Sequence, residues 1–338
     1  MARSEIRIDL AALRRNARRL LDVLDGAELW AVVKADGYGH GALDCARAAL
    51  DGGATALCVA TVPEALALRP ELPDARLIVL GPAAAEEVAT AREARLELVA
   101  TSDAIPEDVP VHVKLDTGMG RWGVAELPAP RRNVVGVMTH LATADGDPGF
   151  ARVQVERFRA ATDAVRGVSR HVANSAAALR LPEARFDAAR CGIALYGLSP
   201  FGADPRDDGL EPVLSWRSEV AQCKLLRPGE STGYGRRFVA ERDTWIGIVP
   251  VGYADGFRRD LTGTEVLVEG ERRRVVGTVS MDAFAVELAR RVSEGTGVTI
   301  VGDGLLLEEH ARVAGTITYE LVSRIESGPT RALRVVIG

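Results

Sequence analysis

Ala31-Val32-Val33-Lys34-Ala35-Asp36-Gly37-Tyr38-Gly39-His40-Gly41 reads as an apolar strand that ends on a lysine and breaks through three glycines before a helix. Strand, tight turn and helix make one βα unit, and repetition of that unit decides the fold class. Outward from this stretch, the sequence predicts strands over residues 29–34, 56–60, 75–80, 96–100, 111–115, 134–140, 169–173 and 188–195. Helical stretches fit between several of them, over residues 41–50, 63–68, 83–91, 150–165 and 175–179. Near-continuous apolar strands alternating with amphipathic helices imply a parallel sheet covered by helices, and about eight such units imply a closed barrel. An open, doubly wound sheet is the alternative.

After Leu210 the pattern changes. Residues 213–226, 245–253, 265–269, 273–279, 284–288 and 298–301 are strand-like, separated by Gly, Pro and Asp turns, with short helices expected near 310–314 and 319–325. The expected architecture is α/β: an N-terminal (β/α)8 TIM-like barrel over residues 10–209, then a mostly β C-terminal domain over residues 210–338. Residues 1–9 are a candidate addition to the second domain, and the Pro- and Asp-rich stretch 200–212 is the expected joint. Near the start, Asp9 fits the cap of a helix whose apolar stripe is Leu10, Leu13, Ala17, Leu20, Leu21 and Leu24.

The chain has 338 residues, 47% hydrophobic and 26% charged, with a net charge of -5, enough for two globular domains. Mild acidity gives no argument for nucleic acid or an anionic membrane as partner, and neither is expected. No stretch is long and apolar enough to span a bilayer, and the N-terminal residues lack the apolar core of a signal peptide. Cys45, Cys58, Cys191 and Cys223 lie far apart without a CxxC pair, so neither a disulfide framework nor a thiolate metal site is expected. A reducing cytoplasm is the simplest location.

A lysine at the buried end of a strand loses hydration, which favours its neutral, nucleophilic form, and such lysines condense with carbonyl compounds. The glycines after Lys34 permit a sharp turn and leave room for a bulky ligand. The same residues also fit a lysine snorkelling into water ahead of a glycine turn.

The whole run resembles the pyridoxal phosphate (PLP) lysine motif of the alanine racemase family. Further segments resemble that family in the same order: Lys114-Leu115-Asp116-Thr117-Gly118-Met119-Gly120-Arg121, Thr139-His140-Leu141-Ala142-Thr143-Ala144-Asp145, Ala173-Asn174-Ser175-Ala176-Ala177, Arg190-Cys191-Gly192-Ile193-Ala194-Leu195-Tyr196-Gly197, Tyr234-Gly235, Gly252-Tyr253-Ala254-Asp255-Gly256 and Ser280-Met281-Asp282.

The resemblance implies a homodimer with shared active sites. Lys34 would be the Schiff-base lysine and one catalytic base, and Tyr234 of the partner subunit the other. His140 would pack against the cofactor ring or join a histidine and arginine network, and Arg190 would face the pyridine nitrogen. Asn174, Ser175, Gly192, Ile193, Tyr38 and Tyr319 would hold the phosphate. Arg121 would contact the cofactor's phenolic oxygen and the substrate carboxylate, with Lys114 a candidate for carbamylation beside it. Met281 would offer its amide to the carboxylate, while Tyr253 and Asp282 would line the entrance.

Other readings of single residues stand beside these: a surface tyrosine at 234, an Arg190–Asp187 ion pair, and Asn174 as a plain helix cap. Asp36-Gly37 and the ending 331–338 depart from the commonest family pattern.

The implied function is PLP-dependent racemisation of alanine, supplying D-alanine for peptidoglycan. The alternatives are a broad-specificity or serine-type racemase, a PLP-dependent decarboxylase, and a non-catalytic PLP carrier. The decarboxylases lack the 114–121 run and use a cysteine in place of Tyr234, and the carriers lack the second domain.

Overall fold

Eight strands of three to five mostly buried residues would leave both sheet faces needing cover, and in a computed structural model describing residues 3–338 they close on themselves. With the N-terminal strand as β1 (Glu5–Asp9), the barrel strands are β2 (Glu28–Val32), β3 (Ala56–Val59), β4 (Leu77–Val79), β5 (Leu96–Ala100), β6 (Val111–Lys114), β7 (Val134–Met138), β8 (Ser169–His171) and β9 (Ala188–Cys191). All neighbours run parallel, and β2 pairs with both β3 and β9, which closes the ring. Closure removes every edge and settles the choice against an open sheet. The barrel unit comprises Ala12–Phe201 and Pro205–Glu211.

Local signals place the helices outside the ring. The first, Leu10–Leu24, buries Ala12, Leu13, Asn16, Ala17, Leu20 and Leu24 on one stripe. Asp147 caps Pro148–Thr162 by accepting hydrogen bonds from the Gly149 and Phe150 amides, with proline in the first turn. That cap starts the helix two residues before the expected Phe150.

The second unit comprises the described residues up to Ala11, Gly202–Asp204 and Pro212–Gly338. Its further strands are β10 (Leu214–Glu219), β11 (Gln222–Leu226), β12 (Ser231–Thr232), β13 (Phe238–Val239), β14 (Thr244–Val249), β15 (Glu265–Val268), β16 (Glu271–Val276), β17 (Phe284–Leu288), β18 (Gly297–Val301) and β19 (Leu333–Ile337). Nine of these strands form one sheet in the order β11-β14-β17-β16-β15-β18-β10-β1-β19, and β12 pairs with β13 as a short ribbon. The N-terminal strand thus sits between β10 and the parallel β19. Leu226, Ala240, Ile246, Val276 and Ala285 form a core under part of this sheet, and Phe257 stacks on Phe284 at 4.4 Å.

Three expectations need correction. The single strand expected over 213–226 is two, because Val220 and Ala221 donate to Thr296 and Ile248, handing the chain from one part of the sheet to another. The strand expected over 188–195 stops at Cys191 and becomes a 3-10 turn, Ile193–Tyr196. The strand expected to reach Lys34 stops at Val32, for a reason that belongs to the site.

Candidate active site

Past Lys34 the backbone enters the left-handed region for five residues: φ is 52° at Ala35, 50° at Asp36, 61° at Gly37, 55° at Tyr38 and 78° at Gly39. Only two of those five are glycines, and left-handed helical geometry costs an L-residue roughly 1–2 kcal/mol. Fixed partners hold the turn. Gly37 donates to Val33, Gly39 to Ala35 and Gly41 to Asp36. The Asp36 carboxylate accepts from the Ala42 amide at the start of the helix Ala42–Asp51. The Glu64 carboxylate accepts from Ala35 at 2.8 Å and Ala60 at 2.6 Å, bolting the turn to the end of β3. Asp36 is therefore a structural part of the turn that follows Lys34.

Around this turn the barrel's C-terminal ends bring the expected residues together. Lys34 lies two residues beyond β2, Lys114 ends β6, His140 lies two residues beyond β7, Asn174 three beyond β8, and Arg190 is within β9. Functional side chains of barrels gather at this end because the loops there are free to vary.

Electrostatically the cluster is cationic. Burial, then Arg121 and Arg190, push the Lys34 amine below its ordinary range. Burial, Arg121 and Arg190 likewise pull Lys114 down to about 8. His140 is driven well below its usual value by burial and by Arg190, Lys114, Arg121 and Lys34, so it is a neutral imidazole. Four basic side chains and a neutral histidine suit an anionic ligand.

Arg121 is held by a loop with its own logic. One Asp116 carboxylate oxygen accepts from the Gly118, Met119 and Gly120 amides, and the loop is closed by the Asp116 amide donating to the Val124 carbonyl and the Val124 amide to the Lys114 carbonyl. Between them project Arg121 and the exposed Trp122, whose ring lies 5.4 Å from the Arg121 guanidinium and 5.6 Å from the Lys114 ammonium nitrogen.

Beside the turn is a small polar recess. Asn174 caps Ser175–Arg180, its side chain accepting from the Ala177 amide. The buried Ser175 hydroxyl accepts from the Gly192 amide at 3.1 Å and the Ala194 amide at 3.3 Å. A Cβ on Gly192 would come within 2.3 Å of the Tyr38 hydroxyl, so glycine is what lets the tyrosine reach this recess. Tyr38 is buried and packs on Tyr196, whose hydroxyl donates to the Val32 carbonyl at the end of β2.

Arg190 is buried and has no ion pair with Asp187, which instead bonds Arg170. Its Nη1 donates to the His171 Nδ1 and carbonyl, each at 2.8 Å. Its Nη2 donates to the Thr139 carbonyl at 2.8 Å, with the Val172 carbonyl and His140 Nδ1 in reach at 3.3 and 3.4 Å. Burial lowers its pKa to about 10, which leaves the guanidinium charged at neutral pH.

In the β unit the other expected residues group by themselves. Tyr234 is 70% exposed in a turn whose carbonyl accepts from the Thr278 hydroxyl. Tyr253 and Ala254 donate backbone bonds to Ser280 and Met281, and a Cβ on Gly252 would meet those same carbonyls at 2.3 and 2.4 Å. Asp282 bonds Arg3 and Arg331, and Arg331 also pairs with the buried Asp255. Tyr234, Tyr253, Met281 and Asp282 thus share one set of interlocked loops. Tyr319 is half-buried in the short helix Thr318–Val322.

Sequence reasoning passed over Glu64, Trp122 and the interior residues Arg76, Glu97, His112 and His171. One signal was available: His112 precedes Lys114 by two positions in a strand, which puts both on one face.

The alanine racemase N-terminal domain model matches residues 8–200, and the alanine racemase C-terminal domain model matches residues 213–333. The chain is 40% identical to alanine racemase 1 of Bacillus subtilis (strain 168), over 95% of this chain and 90% of that protein. It is 40% identical to the alanine racemase of Streptomyces coelicolor, over 96% and 94%. Among solved structures, the biosynthetic alanine racemase of Pseudomonas aeruginosa superposes with a TM-score of 0.93 at 33% identity, covering 100% of both chains.

Proposed function

This chain is an enzyme of the alanine racemase family, and we propose that it uses pyridoxal 5'-phosphate to interconvert L- and D-alanine by a two-base mechanism. The observation that carries the cofactor reading is the pairing, at one barrel mouth, of a depressed lysine amine with the recess built from Ser175, Gly192 and Tyr38. The recess fits a phosphate: the Ser175 hydroxyl accepts from the Gly192 and Ala194 amides, which leaves its own hydrogen to donate, and the Tyr38 hydroxyl reaches the same recess.

In this reading Asn174, Ser175, Gly192, Ile193, Tyr38 and Tyr319 hold the phosphate, and Lys34 tethers the cofactor's aldehyde carbon. When bound, the cofactor supplies an electron sink for the pair left at Cα as its proton departs. Arg190 would meet the ring nitrogen, and Nε is its guanidinium nitrogen with no acceptor among the described residues. A fixed cation there disfavours protonating that nitrogen and so restrains side reactions.

Arg121 and the Met281 amide hold the substrate carboxylate. Lys34 moves the Cα proton on one face, and Tyr234 from a second copy of the chain moves it on the other. A pair of bases is needed because inversion removes a proton from one side and returns one to the opposite side. Neutral His140 would pack against the cofactor ring, and Tyr253 and Asp282 would line the way in. The reading includes a homodimer in the cytoplasm that supplies D-alanine for peptidoglycan.

Lys114 belongs to the same reading as a carbamate. With its amine pulled down to about 8 by burial and the nearby Arg121 and Arg190, Lys114 has far more of its neutral form at neutral pH than an ordinary lysine. The neutral nitrogen adds to carbon dioxide, a C–N bond forms, one proton leaves, and the resulting anion holds Arg121 where an ammonium would repel it. Electron density is expected to show the added atoms on Nζ; a bare ammonium would overturn it.

The direct test incubates protein and cofactor with L-alanine and, separately, D-alanine in heavy water, following Cα exchange and chirality. Exchange with inversion from both enantiomers is expected. Exchange without inversion would sink the second base, and no exchange would replace racemisation with carrier function or another substrate.

A further inference from the structure

We propose that Glu97, His112 and His171 form a buried hydrogen-bond relay of fixed polarity that positions Arg190, with the carboxylate at its far end setting the tautomer of both imidazoles. The relay crosses the barrel interior from β9 to β5. Arg190 Nη1 lies 2.8 Å from His171 Nδ1, His171 Nε2 lies 2.9 Å from His112 Nδ1, and His112 Nε2 lies 2.7 Å from Glu97 Oε2. Both histidines are fully buried.

The connection skips a strand. His112 is on β6 and His171 on β8, with β7 between them. The β7 residue in register with His112 is Gly136, where a Cβ would sit 2.0 Å from His112 Nδ1. Glycine at that point lets the His112 ring pass over β7 and meet its partner. Trp30 walls the pair, 5.6 Å from the His112 ring and 4.4 Å from the His171 ring.

The two ends determine where every proton lies. A guanidinium can only donate and an ionised carboxylate can only accept. His171 Nδ1 must therefore be an acceptor, which puts its proton on Nε2. That proton points at His112 Nδ1, which must also accept, so His112 carries its proton on Nε2 and donates it to Glu97. All three bonds run one way, from arginine to carboxylate, and both rings are neutral. Burial drives both histidines toward that neutral form, while His112 and Arg76 hold the Glu97 carboxyl down at about 2.

Arg76 anchors the far end. Its Nε and Nη2 donate to the two Glu97 oxygens at 2.7 and 2.9 Å, and its guanidinium lies 4.6 Å from the Trp30 ring. At the near end, the bond to His171 takes one Nη1 hydrogen of Arg190 and the His171 carbonyl the other, while Nη2 is spent on carbonyls. The guanidinium plane is thereby fixed with Nε as its remaining donor. Moving a proton along the relay would carry it from a group near 10 to one near 2, strongly uphill, so the relay orients and does not conduct.

The relay stands on geometry alone, and only its consequence for turnover rests on the reading of Arg190 as the residue facing the cofactor. The test is nitrogen NMR of the full chain, cofactor-free, with labelled histidine at neutral pH. His112 and His171 are expected as Nε2–H tautomers, with a scalar coupling between His171 Nε2 and His112 Nδ1 across the hydrogen bond. A protonated His171, an Nδ1–H tautomer or a missing coupling in the unmutated protein would overturn the relay, whatever any variant does. In Glu97→Gln, one oxygen must serve both Arg76 and His112, so the tautomer lock is expected to loosen.

In the loaded enzyme, Glu97→Gln is expected to lower kcat about tenfold, the lower end of the range for outer-shell partners because Glu97 acts through two histidines and Arg190, with KM for alanine within about twofold. Loosened tautomers with unchanged kcat would overturn the positioning role. A locked relay in a protein that racemises nothing would overturn the proposed activity and leave the relay standing.

Discussion

Lys34→Ala is expected to lose racemisation in both directions by about 10³-fold or more, because one side chain is asked both to tether the cofactor and to act as a base. General acid or base groups alone typically account for about 10²–10⁴-fold, so a smaller loss would mean that Lys34 does not hold either role. The fold should not suffer. Burial and the nearby Arg121 and Arg190 already disfavour the charged lysine, so its removal relieves repulsion and Tm should hold or rise. The left-handed turn after it is kept by Asp36, Glu64 and backbone bonds, none of which uses the Lys34 side chain. Chiral product analysis beside a thermal melt separates the outcomes: lost activity with a fallen Tm would point to a structural lysine instead.

Tyr234→Phe is expected to lower racemisation ~100-fold or more while leaving proton exchange intact for one enantiomer. The phenol belongs to an exposed side chain, and the turn is fastened through the Tyr234 carbonyl, which the substitution keeps. Stability should therefore be unchanged. Exchange of one enantiomer alone, without inversion, is the signature of losing one base of two. Loss of exchange from both would show that Tyr234 serves something other than one face.

If Tyr234 acts in a second copy's site, complementation follows. Mixed dimers of a Lys34→Ala chain and a Tyr234→Phe chain hold one doubly damaged site and one intact site. Random reassociation of equal amounts should recover about a quarter of the unmutated activity, as closed twofold symmetry requires. Absence of recovery in verified mixed dimers would place both bases on one chain.

Much of the barrel was legible because parallel strands buried on both faces must be apolar along their length, and that property is local. The run ending at Lys34, the Val111 to Lys114 stretch and the Asn174-Ser175 cap each announce their element without reference to the rest of the chain. Short pairing elements were harder. Glu5–Asp9 finds Leu214–Glu219 and Leu333–Ile337 across more than two hundred residues; the first alternates charged and apolar residues over only five positions, and Leu333–Ile337 does not alternate. The left-handed run through Ala35, Asp36 and Tyr38 was also hidden, since its glycines suggest a turn but its cost is offset by Glu64, on a later helix.

The amino-acid sequence by itself determined the order of the barrel strands, the barrel-then-sheet architecture, the family, and the residues that gather at the strand ends. Those depend on periodicity and on motifs contiguous in the chain. The tertiary structure alone decided that Arg190 turns from Asp187 toward His171, that His171 meets His112 over the gap at Gly136, and that Glu97 closes the line. A barrel interior is assembled from residues far apart in the chain. A buried histidine's proton is fixed only when donor-only and acceptor-only groups are brought to opposite ends of the same hydrogen-bonded line.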